Sequence, residues 1–284
     1  MSKSRHFKIL WAIPISLYAL DAQAWGLYTH IYFSQYLLIC APLMDQRIRQ
    51  AIQKFPHLVQ AGACLPDLAV ISKSFSTSHQ WHISEQMMDT ADSEEDLAIA
   101  VGYASHLFVD VIAHNHFVPA HEAKWMHRTI ATHIASEWAM DGHVVKQISK
   151  TPYQLISANL EVLSRFAAQK FGVHHNIAKT QLTRLSWLDR MLRASKISEF
   201  LLWLLKIRDV ELMKNLNYYL NKTEHALNHF HFTLGGQRPL WEPELKNMNA
   251  AELIDWRSRC LGDLRMQAHT PVDIFSPRAT NNFF

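Results

Sequence analysis

The chain has 284 residues, of which 49% are hydrophobic, 19% charged and 11% aromatic, with a formal net charge of +3 at pH 7. That composition can fill a sizeable core and excludes disorder and low complexity, and the weak net charge excludes an electrostatic nucleic-acid footprint. Eight Gly and ten Pro are too few for a turn-rich sheet protein, so an all-α fold is expected.

Residues 1–24 read as a secretory signal peptide. Lys3, Arg5 and Lys8 form a basic start, Ile9 to Leu20 carry no charge, and Ala22-Gln23-Ala24 is a small-x-small cleavage site. The apolar run is short for a bilayer span. Cleavage after Ala24 places Trp25 at the mature N-terminus, where a free α-amino group and its own carbonyl can chelate a metal. It also removes Lys3, Arg5, Lys8 and Asp21, so the mature charge drops to +1. The protein is expected to be exported, to the periplasm or beyond the cell. Cys40, Cys64 and Cys260 can form at most one bridge and lack zinc-finger spacing.

Helical periodicity dominates the rest. Apolar residues recur three and four apart over Ile31 to Leu43, Asp45 to Phe55, Ile83 to Ala91, Ser93 to Asn115, Trp125 to Ser149 and Pro152 to Lys170. The pattern continues over Thr180 to Leu192, Ser195 to Ile207, Val210 to His229 and Ala250 to Leu261. Ser93, followed by Glu94, Glu95 and Asp96, and Thr151-Pro152 are helix-start signals. No repeat or linker divides the chain; residues 25–150 hold the candidate catalytic residues, and residues 151–284 are expected to complete the same globule. Phe200-Leu201-Leu202-Trp203-Leu204-Leu205 is the most apolar run after the signal, to be buried in the bundle or to meet lipid.

Of 18 histidines, thirteen lie between His30 and His175, and imidazole is the commonest protein metal ligand. The Leu97 to Asn115 helix is apolar nearly all round, yet it carries His106 and Asp110 on one face. Burying both without a partner is costly, so they bind one another and backbone or hold a cation. His116 follows where this helix is expected to end, and His133 with Glu137 repeats the four-residue spacing on the next helix. Ahead of them lie Asp67, after Pro66 at a turn, His79-Gln80-Trp81, and Trp25-Gly26-Leu27-Tyr28-Thr29-His30.

This ordered series resembles the zinc-dependent phospholipase C family, whose fold is shared with fungal single-strand-specific zinc nucleases; it is also similar to the catalytic domain of glycosylphosphatidylinositol-specific phospholipase D. The resemblance spans about residues 25–145. It implies a site for up to three zinc ions: Asp67, His79, His106 and Asp110 for the first, His116, His133 and Glu137 for the second, and the Trp25 terminus, His30 and a shared Asp110 for the third. A mixed nitrogen and oxygen set without thiolate suits catalytic zinc. His82 is an alternative to His79. His114 and His121 are expected outside the ligand set or at the surface, and Asp141 as an orienter of a ligand.

The implied activity is zinc-assisted phosphodiester hydrolysis, with Asp67 orienting or deprotonating the attacking water. The expected substrate is a glycerophospholipid at a membrane or micelle surface, cleaved to diacylglycerol and phosphorylated head group; no nucleic-acid partner is implied. The rivals are an exported single-strand nuclease and a non-catalytic zinc-stabilised module. Glu137, where those nucleases usually carry Asp, favours the lipase. Tyr28 and Leu68 stand where choline-selective relatives have Glu and an aromatic residue, which weakens any expectation of choline preference. No GxSxG, P-loop or HExxH suggests other chemistry.

Overall fold

The computed structural model describes residues 26–125, 129–244, 248–267 and 274–275. These are helical, with no strand among them. In chain order the helices are α1 (Leu27–Cys40), α2 (Gln46–Lys54), α3 (Pro56–Gly62), α4 (Leu68–Ile71), α5 (Trp81–Asp89), α6 (Glu94–Ile112), α7 (Val118–Lys124) and α8 (Thr129–Val144). The second half adds α9 (Pro152–Ala158), α10 (Leu160–Phe171), α11 (His175–Ala194), α12 (Ile197–Arg208), α13 (Leu212–Leu227), α14 (Phe230–Leu234) and α15 (Ala250–Met266). Residues 1–24, expected to be a signal segment, and Trp25 lie outside the described residues.

The molecule is organised around α6. Ser93 caps it by accepting from the Asp96 amide, and Glu94, Glu95 and Asp96 favour its positive N-terminal end. From Leu97 to Ile112 every residue is buried, which accounts for an apolar run without amphipathic contrast. Helices α2, α3 and α5 pack on it, and α1 and α13 also touch it. Buried residues of both halves of the chain, from Leu27 to Ile274, form a single core.

Two glycines set the closest approach. A Cβ on Gly62 would lie 2.3 Å from the Ile99 carbonyl oxygen, and one on Gly102 would lie 2.0 Å from that of Val59. Only glycine on each helix lets α3 and α6 meet backbone to backbone.

Several expected boundaries moved. Helix α6 does not stop near Asn115: it passes through a wide turn with π-type bonding at Ala113–Phe117 and continues as α7. The stretch from Pro152 to Lys170 breaks at Asn159, whose side-chain amide donates to the Leu155 carbonyl. Thr151 caps its first half in a reciprocal arrangement with Gln154. The Pro56 to Ile71 region, outside the expected helices, contains α3 and α4. The three cysteines are free and buried.

Candidate metal centre

Two histidines are locked by their Nδ1 atoms. His106 Nδ1 lies 2.8 Å from the Ala63 carbonyl oxygen, which only accepts, so Nδ1 carries the proton and Nε2 presents a lone pair. This bond exists because Gly62 and Gly102 bring α3 against α6. Ser78 donates its hydroxyl to the Pro66 carbonyl, so its oxygen accepts from His79 Nδ1 at 3.3 Å. His79 therefore also presents Nε2. The two Nε2 atoms face each other at 3.3 Å, a distance at which two lone pairs repel unless a cation or proton lies between them.

Carboxylates surround this pair. Asp110 Oδ2 lies 3.0 Å from His106 Nε2 and 3.6 Å from His79 Nε2, while Asp67 Oδ1 is 3.9 Å and 4.0 Å from the same atoms. His30 stacks flat on His106, ring centroids 3.6 Å apart, and puts Nε2 3.3 Å from Asp110 Oδ1. Neither Asp110 oxygen nor Asp67 Oδ1 accepts a hydrogen bond among the described residues, although all three are buried. Buried acceptors without donors are expensive, and a divalent cation removes that cost.

Three sets of ligand atoms lie within 4.8 Å of one another: His30, His106 and Asp110; Asp67, His79 and His106; and His114, His133 and Glu137. In the third, His133 Nε2 is 2.7 Å from Glu137 Oε1, and the His114 ring sits 5.1 Å from that of His133. His114 Nε2 also lies 3.7 Å from Asp110 Oδ1, so Asp110 is central to the whole group. The donor set is imidazole and carboxylate only, and it fits zinc.

Electrostatics points the same way. Burial, reinforced by Asp110 and Glu137 and opposed by His106, pushes the Asp67 carboxyl up to about 8. Burial and Glu137 hold the Asp110 carboxyl well above the usual range, and burial lowers His106. Burial also raises Glu137 against the pull of His133; at His133 burial opposes protonation, but Glu137 outweighs it and the imidazole is raised. Crowded buried acids without a compensating positive charge behave in this way, and bound cations reverse the effect.

The structure thus brings together His30, Asp67, His79, His106, Asp110, His133 and Glu137, whereas Trp25 lies outside the described residues. None of the three candidate groups includes His116. The wide turn at 113–117 keeps His114, four residues on from Asp110, beside that carboxylate, while the half-buried His116 sits among aromatic rings. There its ring packs edge-on to Trp241 and Trp256, 5.6 and 5.5 Å away, and burial pushes it down to about 3. His114, expected outside the ligand set, lies in the candidate group with His133 and Glu137. His121 is a core residue donating to the Phe117 carbonyl. His82 is exposed, away from the cluster that holds His79.

Asp141 acts through the start of α1. It accepts from the Thr29 amide at 2.9 Å and the Thr29 hydroxyl at 2.8 Å, and it pairs with Arg193. Thr29 precedes His30, so this contact sets where α1 delivers its imidazole. Arg193 in turn lies 3.7 Å over the buried Tyr28 ring. Ser78, Ala63 and Asn115 were not legible as site residues. Ser78 and Ala63 work through backbone carbonyls or local bonds; Asn115, beside His116 in the turn, bonds Glu242 and Trp256.

Fold and site together define an all-α protein built around a candidate metal centre of buried histidines and carboxylates. A family-wide comparison matches residues 29–190, more than half of the chain, to the family described as zinc dependent phospholipase C. The chain belongs to that family, which makes zinc its metal and phosphodiester hydrolysis its class of reaction. Comparison with curated proteins and with solved structures finds no match.

Proposed function

We propose that the protein is an exported phospholipase C that cleaves glycerophospholipids to diacylglycerol and phosphorylated head group. The observation that carries this reading is the buried group centred on Asp110, found in a chain of this family. His30, Asp67, His79, His106 and Asp110 would hold one part of the metal set, and His114, His133 and Glu137 another. Zinc bound there supplies charge neutralisation for the phosphate and acidifies a bound water. The protein's own residues orient the reactants. Asp110 is fully buried, whereas the Asp67 side chain keeps about 7% exposure and an Oδ1 that accepts no hydrogen bond among the described residues, which suits it to hold the attacking water or its proton. Ala63 and Ser78 fix the His106 and His79 tautomers, so neither ring rotates during turnover.

Export rests on the basic start, apolar run and Ala24 cleavage site of residues 1–24. Purified protein is expected to begin at Trp25, to contain zinc, and to release phosphorylated head group from phospholipid micelles until a chelator is added. Asp67→Asn is expected to keep zinc and lose most turnover. Hydrolysis of single-stranded DNA without lipid hydrolysis, or full activity in Asp67→Asn, would overturn the proposal.

A further inference from the structure

Large apolar side chains left in water concentrate in one short stretch. Trp187, Leu188 and Met191 are exposed near the end of α11, Phe200, Trp203 and Ile207 on α12, and Val210 just beyond. On α12 the spacing of three and four puts Phe200, Trp203 and Ile207, exposed by 57, 56 and 61%, on one stripe. The Phe200 and Trp203 rings lie 5.8 Å apart. The opposite face is firmly placed: Ser198 and Leu202 are buried, and α12 packs so closely on α8 that a Cβ on Gly142 would lie 3.1 Å from the Ser198 carbonyl. The exposed stripe is therefore the outer face of a docked helix.

Charge around it is one-sided. Arg184, Arg190, Lys196, Lys206 and Arg208 are exposed, while the acids are mostly used up. Asp189 pairs with Arg193, Asp209 is held by Lys124 and Trp125, and Glu211 also meets Lys124, leaving Glu199 as the exposed acid of α12. Tryptophan, phenylalanine and isoleucine flanked along the helices by exposed lysine and arginine is the chemistry of an anionic bilayer interface, where rings enter the head-group layer and cations meet lipid phosphates. We infer that the outer face of α12, with the end of α11, docks the protein on the surface of an anionic phospholipid bilayer. Because α12 lies against α8, which carries His133 and Glu137, the docked surface is one helix away from the metal centre. The inference deepens the phospholipase reading and rests on it for its biological meaning.

The test is sedimentation of the full chain with vesicles of phosphatidylcholine alone and of phosphatidylcholine with a third phosphatidylglycerol, alongside turnover of a short-chain, monomeric phospholipid. Binding is expected on the anionic vesicles and weaker on the neutral ones. Joint Lys206→Glu and Arg208→Glu substitution is expected to weaken it about tenfold or more. Joint Phe200→Ser and Trp203→Ser substitution is expected to abolish it while leaving short-chain turnover and helical circular dichroism unchanged. Absence of vesicle binding, or undiminished binding by either variant, overturns the inference. So does a stable dimer dispersed by Trp203→Ser, which would make the face a contact between copies. Vesicle binding without hydrolysis of the short-chain lipid removes the phospholipase reading and leaves the docking surface; hydrolysis without vesicle binding removes the surface alone.

Discussion

Replacing Gly102 with alanine tests whether the close approach of α3 to α6 builds the site. Helix propensity alone predicts a gain of about 1 kcal/mol, since alanine is the better helix former. Packing predicts the opposite sign. The new Cβ would lie 2.0 Å from the Val59 carbonyl oxygen, 2.8 Å from its carbon and 3.0 Å from the Ala63 nitrogen, all backbone atoms. Ordinary carbon contacts need about 3.5 Å, so α3 must retreat, at an overpacking cost near about 3 kcal/mol. Retreat also stretches the bond from His106 Nδ1 to the Ala63 carbonyl, worth about 1 kcal/mol. The net expectation is a loss of about 3 kcal/mol in urea unfolding, with weakened zinc retention because His106 is no longer held in its tautomer. Gly262→Ala, in α15 with nothing within 4 Å of its Cβ, is the control and is expected to stabilise by about 1 kcal/mol. A stabilised Gly102→Ala protein with undiminished zinc would refute the reasoning.

His114→Ala is expected to lose zinc from the His133 and Glu137 set, whereas His116→Phe, which refills an aromatic slot, should keep it; elemental analysis of the two purified variants decides, and the reverse result would restore His116 as the ligand. Glu122→Ala leaves Arg257, whose Nε donates to Glu122 Oε2 at 2.7 Å, unpaired in a buried place. It should cost about 3–5 kcal/mol in denaturant unfolding, and a change below ~1 kcal/mol would show the pair to be solvated. Burial pushes His121 down to about 4 from its ordinary 6.5. The unfolded chain then takes up a proton before the folded one does, so this contribution is intact above about pH 6.5 and lost progressively towards pH 4, amounting to about 3 kcal/mol. His121→Leu should flatten that part of the stability profile; an unaltered profile would mean that His121 does not titrate in this way.

Particular residues show how far the site was legible in the sequence. His106 with Asp110, and His133 with Glu137, could be paired because four-residue spacing on a helix fixes a shared face whatever surrounds it. Asp67 after Pro66, and His79 ahead of Trp81, were recognisable by their order in the resemblance. His114 was not, because a helix that widens for one turn has no composition mark, and the six-residue step to His116 is equally plausible for a helix that ends. Ala63 was not, because its carbonyl reaches His106 only when segments distant in sequence pack together, and Ser78, though next to His79, was not, because its hydroxyl is aimed by the Pro66 carbonyl.

The chain by itself determined the helical class, the buried central helix, the family and most of the histidine and carboxylate set, all of which depend on local periodicity or on ordered motifs. Tertiary structure alone decided which face each imidazole presents, that His114 lies with His133 and Glu137, and that the apolar α12 keeps one stripe in water. Those outcomes depend on backbone approach and on a change of helical winding, which arise only when distant segments pack together.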